Sequence, residues 1–290
     1  MATQKEIKHR IRTVQKTQQI TSAMRMVSAA KLRRAQDAIL ALRPYAQQIW
    51  ATMYEIGRRQ PELTHPLLRV RPEPKRLEVI VVASDRGLCG AFNANVLKAG
   101  AHVLAERSGH EQVSVSTVGR KAAEFVRRRR PLEKSWLMGH GLEFGLAREV
   151  AGYLAGRYES GAVDEVVLVA NEFVSALHQR PVTVRLLPLV PEFSRVRSYA
   201  EGAGREPFEI EPDAASLLDV LVPQALEFTI YRAQLESWAG EHAARMAAME
   251  SATRNTEELI RSLTLQFNRA RQAAITKELM EIVSGAEALK

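Results

Sequence analysis

Apolar residues recur in alternating steps of four and three through the N-terminal segment of the chain. The series starts at Ile7, ends at Ile56 and keeps one heptad register for about seven heptads. Four central positions of the series are polar: Gln18, Thr21, Arg25 and Ser28. A heptad stripe of this length predicts a coiled-coil helix about 80 Å long.

The C-terminal segment repeats the pattern, with the same spacing from Leu218 to Ala274. We expect Pro223 in the first turn of this second helix, where its missing N–H costs little, and the helix end near Ser284. Because both helices flank the same central region, they can pair antiparallel. Counting outward from that region places Arg25 opposite residue 255 and the polar stretch opposite Thr253 and Thr256.

Two further stripes lie off this heptad seam. Ile275, Leu279 and Ile282 fall in the last ten or so residues, which the predicted register leaves beyond the partner helix. We expect this stripe to contact another protein. The second stripe, formed by Ile20, Met24 and Val27, fits either a widened core or an outward contact face.

The central region alternates strands with helices. Residues 77–84 form a continuous apolar run typical of a buried strand, and 113–119, 164–175 and 181–189 are further predicted strands. Helical patterns lie between them, and residues 192–212 are predicted to be a loop. The fold class is therefore α/β, with a long antiparallel coiled coil of the N- and C-terminal helices bracketing a Rossmann-like domain. The predicted boundaries are 1–57 for the first helix, 58–76 for a linker, 77–211 for the α/β domain and 212–290 for the second helix.

Charge adds a clue to partners. The net charge is +8, and residues 1–43 hold ten basic and two acidic groups, which accounts for the whole excess. Such a segment favours an acidic partner, either nucleic acid or an acidic protein surface. No apolar run approaches the roughly 18–20 residues of a membrane span, and the N-terminus lacks the apolar stretch of a signal peptide.

Candidate chemistry is sparse. The turn at 84–90, SDRGLCG, follows the first strand, where α/β proteins bind ligands, but it matches neither common phosphate-binding motif. A tight turn that packs a helix onto the sheet is the simpler interpretation; an α/β enzyme that needs Asp85 is the rival one. Cys89 is the single cysteine, and the histidines form no metal-binding motif, so neither a disulfide nor a metal site is expected.

Four segments resemble the γ subunit of F-type ATP synthases, and the resemblance runs essentially end to end. They are QQITSAMRMVSAAKLRRAQ (18–36), SDRGLCGAFNANV (84–96), EHAARMAAMESATRNTEELI (241–260) and FNRARQAAITKELMEIVSGAEAL (267–289). The resemblance implies the central shaft of a rotary motor, with no catalytic residues or cofactor of its own. Its implied partners are three α and three β subunits, the ε subunit and the ring of c subunits.

The resemblance also implies particular sites. Contacts with the α and β ring would involve Met24, Arg25, Arg271, Gln272 and Thr276. The signature of the α/β foot domain would comprise Asp85, Arg86, Gly87, Cys89 and Gly90. The expected location is peripheral, on the cytoplasmic face of a bacterial inner membrane. The main alternative, a coiled-coil scaffold that binds nucleic acid through its basic helix, predicts salt-sensitive binding to any duplex.

Overall fold

The computed structural model describes residues 3–107, 109–139, 143–176, 178–189, 209–211 and 213–287. The helices are α1 (Gln4–Arg59), α2 (Phe92–Glu106), α3 (Arg120–Arg127), α4 (Phe144–Glu159) and α5 (Ala214–Glu287). The strands are β1 (Arg76–Val82), β2 (Gln112–Val118), β3 (Lys134–Trp136), β4 (Glu165–Phe173) and β5 (Gln179–Leu187). A short 3₁₀ turn, Pro66–Leu68, lies between α1 and β1.

The five strands form one mixed sheet in the order β3-β2-β1-β4-β5. β1 pairs in parallel with β2 and β4, β2 pairs in parallel with β3, and β4 pairs antiparallel with β5. Strand order reverses direction about β1, as in half of a doubly wound fold. The predicted Rossmann-like α/β class is therefore confirmed, with an antiparallel strand at one edge.

The core of the sheet explains why its central strands are almost continuously apolar. Six of the seven residues of β1 are buried, because helices cover both faces of the sheet. One hydrophobic cluster joins Leu77, Val79 and Val81 of β1 to β4 and to the inner face of α2. Period-2 alternation is absent here, and length and β-branched content identify the strand instead.

The C-terminal helix begins at Ala214, two residues after the predicted boundary at 212 and nine residues before Pro223, which the sequence pattern placed in its first turn. Asp213 caps it: its carboxylate accepts a hydrogen bond from the Ser216 N–H at 2.9 Å, and its carbonyl accepts from the Leu217 N–H at 3.2 Å. Pro223 consequently lies inside the helix, and the prediction that it occupies the first turn is wrong. An aspartate cap is a stronger start signal than a proline that the helix can accommodate.

The segment before β1 is fixed to the sheet by one carboxylate. Asp164 accepts hydrogen bonds from the guanidinium groups of Arg71 and Arg76 and from the backbone N–H groups of Lys75 and Arg76. Burial alone would raise the pKa of Asp164, but the hydrogen bonds from Arg76 and Arg71 outweigh it and hold that pKa well below its usual range. The predicted linker thus ends in an ordered, ion-paired attachment.

The predicted strands and helices of the central region are confirmed to within a few residues, apart from β3. That strand has only three residues and follows the charged run Arg127–Arg130, so it carries no pattern long enough to detect. The predicted loop at 192–212 lies outside the described residues, except for 209–211. None of the described helices is both long enough and apolar enough to cross a lipid bilayer.

The chain divides into two compact units, Met1–Ser28 with Arg245–Lys290 and Ala29–Ala244. α1 and α5 contribute residues to both. The four-part division proposed from the sequence remains a prediction.

Candidate interaction surfaces

In the first unit the two terminal helices pair antiparallel through a ladder of polar contacts. The hydroxyls of Thr21 and Thr253 lie 2.8 Å apart, and the Arg25 guanidinium lies 2.9 Å from the Glu250 carboxylate. Near the outer end, the Gln4 amide donates to the Ala270 carbonyl at 3.4 Å. These contacts fix one register along the pair.

That register differs from the predicted one by five residues, since Arg25 pairs with Glu250 and not with residue 255. The error came from the assumed start of the second helix at Pro223. Counting 34 residues from the observed helix ends, Arg59 and Ala214, places Arg25 opposite residue 248, within two residues of the observed partner. The predicted pairing of the polar stretch with Thr253 is confirmed.

Two of the four polar positions in the seam between these helices are buried, and the other two, Gln18 and Arg25, are half-buried. Thr21 and Ser28 are both buried, as is Ile7 near the end of α1. Thr21 also donates to the Gln18 carbonyl at 3.0 Å, which satisfies its hydroxyl within the seam. The polar positions are therefore part of the interface and not a gap in it.

A second face of α1 is exposed and apolar. Ile20 and Val27 are 60% and 57% exposed, while Met24 between them is half-buried. The exposure of Ile20 and Val27 shows that the widened core is wrong for these two side chains, while the outward contact face stays a prediction. No residue of the described part of the chain covers them to the extent expected of a core side chain.

The far end of α5 presents a second exposed apolar stripe. With residue 4 opposite residue 270, positions beyond about 271 extend past the first described residue of α1. Ile275, Leu279 and Ile282 are all exposed there, and Ile282 is 68% exposed. Arg271, Gln272 and Thr276 are also exposed, and the Thr276 hydroxyl donates to the Gln272 carbonyl at 2.9 Å.

The turn at 84–90 is held by short-range hydrogen bonds at the carboxyl edge of β1. The Asn93 side chain at the start of α2 accepts from the Ser84 N–H at 3.0 Å and approaches the Cys89 sulfur at 3.2 Å. Cys89 is buried, whereas Arg86, Gly87 and Gly90 are exposed. Gly90 has φ +56, a left-handed conformation that glycine adopts without strain.

The Asp85 side chain links this turn to the start of α3 and to the segment after β3. Its carboxylate accepts from the Arg120 N–H at 2.8 Å, at the start of α3, and from the Gly139 N–H at 2.9 Å, after β3. An aspartate that satisfies two backbone donors in this way serves packing of the sheet edge. Among the described residues no group of three or more metal-ligating side chains is positioned to hold a metal ion.

Comparisons with known proteins agree with this arrangement. A family model described as ATP synthase matches residues 3–289. The ATP synthase gamma chain of Heliobacterium modesticaldum is 46% identical over 289 residues, covering 98% of each chain. The gamma chain of an Anaeromyxobacter species is 48% identical over 296 residues, covering 100% of both.

Solved structures share the fold at lower identity. A chain of the Euglena gracilis mitochondrial ATP synthase, from its OSCP/F1/c-ring structure, has a TM-score of 0.64 and 19% identity, covering 99% of this chain and 94% of that one. A chain of the central stalk and c-ring structure from Tetrahymena thermophila has a TM-score of 0.61 and 24% identity, covering 80% of this chain and 99% of that one. With a family model matched from residue 3 to residue 289 and relatives 46–48% identical over nearly its whole length, the chain belongs to the ATP synthase gamma chain family.

Proposed function

We propose that the chain is the central rotor shaft of a proton-translocating F-type ATP synthase. It couples rotation of the c ring to conformational change at the catalytic β subunits, for ATP synthesis or hydrolysis. Family membership supports this assignment, and the observation that carries it structurally is the register-locked antiparallel pair formed by α1 and α5. The proposed partners are three α subunits, three β subunits, the ε subunit and the c ring.

A shaft of this kind must transmit torque along a paired helix while turning against its surroundings. Pairing buries a seam on each helix, which resists bending and slippage better than one helix alone. Contacts with a surrounding ring must be weak enough to break at each step. Exposed ion pairs, worth about 0–1 kcal/mol each, suit that requirement.

The ring-contact residues are proposed to lie on the two exposed faces of the first unit. Met24 belongs to the outward stripe of α1. Arg25 lies next to it on the seam and is 42% exposed, so guanidinium donors that its bond to Glu250 does not use can meet an acidic loop. Arg271, Gln272 and Thr276 are exposed on α5, where they are available to the inner surface of a ring. An asymmetric shaft within a threefold ring makes different contacts with each site and so shifts their conformational populations apart.

Catalysis is proposed to occur at the β subunits and not on this chain. The turn at Asp85, Arg86, Gly87, Cys89 and Gly90 is proposed to be a structural signature of the foot domain. The two backbone bonds that Asp85 accepts support that role over an enzymatic one. The proposed location is peripheral to the cytoplasmic face of a bacterial inner membrane, held there through the c ring.

The test is ATP hydrolysis by the cognate α and β subunits, co-expressed with and without this chain. The shaft assignment predicts a stable complex that contains the chain and a large rise in cooperative turnover. A folded chain that neither joins the complex nor stimulates turnover would refute it. Duplex DNA binding by the isolated chain that weakens steeply with salt, without such stimulation, would favour the nucleic-acid scaffold instead.

A further inference from the structure

A groove lies along one edge of the sheet, between β3 and α3. Its volume is about 320 Å³, and it is lined by Arg120, Ala123, Glu124, Arg127, Ser135, Trp136 and Leu137. β3 is the last strand in the sheet order, so no strand of the described residues pairs with its outer side. An unpaired edge offers backbone donors and acceptors to another extended segment.

One usual protection of such an edge, an outward lysine, is missing here, although β3 is only three residues long. A lysine on an edge strand commonly blocks further pairing, but Lys134 is turned toward α4. Its Nζ lies 4.6 Å from the centroid of the Tyr153 ring and 3.8 Å from the Glu149 carboxylate. The Trp136 Nε1–H donates to the same carboxylate at 2.8 Å.

Strand alternation then assigns the opposite side chains to the groove. Because Lys134 and Trp136 contact α4, Ser135 and Leu137 face α3, and the Arg127 guanidinium donates to the Ser135 hydroxyl at 3.4 Å. Leu137 is 59% exposed, which is unusual for a leucine that adjoins a strand. The apolar surface of the groove is therefore supplied chiefly by Leu137, since Ala123 is only 7% exposed.

Its two ends are cationic. Arg120 and Arg127 are seven residues apart on α3, which separates them by about 10 Å along the helix axis, and both are exposed. The acidic residue that lines the groove, Glu124, is neutralised by Lys121, whose Nζ lies 2.8 Å from its carboxylate. Positive charge at both ends of an apolar centre favours an acidic ligand.

We propose that this groove binds an extended acidic segment of a partner protein, which adds a strand to the outer edge of β3. Side chains at positions i, i+2 and i+4 of a strand share one face and span about 13 Å. The matching segment has two carboxylates that flank one small apolar residue at those positions. Main-chain hydrogen bonds to β3 supply affinity, and the arginines supply selectivity.

The test uses the full chain and a fluorescently labelled peptide, Thr-Glu-Thr-Val-Thr-Glu-Thr, with anisotropy as the readout. We expect the peptide to bind at least about tenfold more tightly than the same peptide with lysine in place of glutamate. Two further peptides carry N-methyl groups on alternate amides, one peptide along one edge of the strand and the other along the opposite edge. Only one of them should lose binding, because only one edge of the added strand faces β3. Equal binding of both methylated forms and the parent peptide would refute strand addition.

Matched charge variants separate the groove from the general basic surface. The double variant Arg120→Glu/Arg127→Glu should weaken peptide binding by about tenfold or more. The control double variant Arg128→Glu/Arg130→Glu, outside the groove, should change it by less than about threefold. These four side chains are exposed, so circular dichroism should show an unchanged fold. Equal loss in both variants, binding of duplex DNA that the groove variant abolishes while the peptide stays unbound, or no peptide binding up to about 1 mM, would each overturn the proposal.

Discussion

The Arg25 guanidinium of α1 lies 2.9 Å from the Glu250 carboxylate of α5. Both side chains are about 40% exposed to solvent, at 42% and 37%, so the pair contributes at most about 1 kcal/mol to stability. Its importance lies in register, because an apolar heptad seam can slip by seven residues without changing which side chains it buries. A polar pair at one height disfavours every slipped alternative.

Engineered cysteines should report this register directly. In a Cys89→Ala background, Thr21→Cys with Thr253→Cys should form an intramolecular disulfide on mild oxidation, because the two native hydroxyls are 2.8 Å apart. The measurement is the loss of two free thiols by mass spectrometry, with a mobility shift on a non-reducing gel. The matched control, Arg25→Cys with Asn255→Cys, should not form a disulfide.

The reason is axial distance. Residue 255 lies five residues from the observed partner of Arg25, which is about 7.5 Å along the helix axis. That offset exceeds what a disulfide spans without movement of the backbone. Efficient crosslinking of the control pair, with none between positions 21 and 253, would contradict the described register.

Gly119 should tolerate no side chain. It connects β2 to α3 with φ +96, and a Cβ added there would lie 1.9 Å from the Ala83 carbonyl oxygen. Gly119→Ala should therefore lower the free energy of unfolding by at least about 3 kcal/mol, through steric overlap and an unfavourable φ. Urea unfolding followed by circular dichroism measures the change.

The matched control is Gly152→Ala in α4. Apart from the adjacent residues and the backbone of its own helix, nothing lies within 4 Å of an added Cβ at this position, and alanine favours the helix by about 0.5–1 kcal/mol over glycine. This variant should be as stable as the wild type or more so. If both variants were equally destabilised, steric overlap at Gly119 would not be the cause.

The sequence predicts the elements whose patterns are long and misses those held by single contacts. The seam from Ile7 to Ile56 and the buried run of β1 are long enough to identify a helix and a strand without tertiary information. β3 has three residues and is defined by pairing with β2, and the start of α5 depends on the cap at Asp213. The pairing of β3 is a tertiary contact and the cap is one local hydrogen-bonded residue, and hydrophobic periodicity reports neither.

For the exposed surfaces as well, the sequence shows the pattern but not the tertiary arrangement. The sequence identified the stripe at Ile20 and Val27 but could not orient it, since the spacing fits both a wider core and an exposed face. The basic run Arg127–Arg130 is visible in the sequence, but no pattern places a groove beside Leu137. The groove arises from sheet order and from the side to which Lys134 turns, and both are tertiary properties.

Breaking the buried ion pair between a strand and a helix of the central domain should make the free energy of unfolding depend on pH. Glu78 of β1 is fully buried, and the Arg157 guanidinium of α4 lies 2.8 Å from its carboxylate. Burial raises the pKa of Glu78, while the Ser116 hydrogen bond and Arg157 lower it in part. Arg157→Met removes one of these lowering influences and leaves the carboxylate without its cation, so stability should fall by about 3–5 kcal/mol at neutral pH.

The sign of the pH effect follows from protonation. A carboxyl group whose pKa is higher in the folded state stabilises the fold at low pH, and that contribution is lost as pH rises through the folded pKa. The deficit of Arg157→Met relative to wild type should therefore be larger at about pH 8 than at about pH 5. Adding Glu78→Gln should restore much of it and flatten the dependence; an unchanged deficit would show that packing, not charge, is responsible.

Mild acidification should lower the free energy of unfolding, because protonation of His65 favours the unfolded chain. The His65 imidazole is buried, its Nδ1 accepts a hydrogen bond from the Leu67 N–H at 3.1 Å, and burial lowers its pKa despite the nearby Asp219 carboxylate. The unfolded chain protonates this imidazole near pH 6.5, before the folded chain does, so the free energy of unfolding should fall as pH decreases from about 7. His65→Asn keeps a side-chain acceptor for Leu67 without a titratable ring, and urea unfolding at several pH values should show a shallower decline; identical slopes would remove His65 as the cause.

The outward stripe of α1 should matter for the assembled motor and not for the chain alone. Ile20 and Val27 are exposed in the described structure, so Ile20→Glu with Val27→Glu should change the free energy of unfolding by less than about 1 kcal/mol. Within the proposed ring the same variant adds two charges beside Met24 and should reduce stimulation of ATP hydrolysis by about tenfold or more. The control is Leu40→Glu, which is also exposed but lies in the other compact unit. Equal stimulation by the variant and the wild type would exclude this face from the ring contact. Loss of unfolding cooperativity in the variant would show that Ile20 and Val27 act as core side chains.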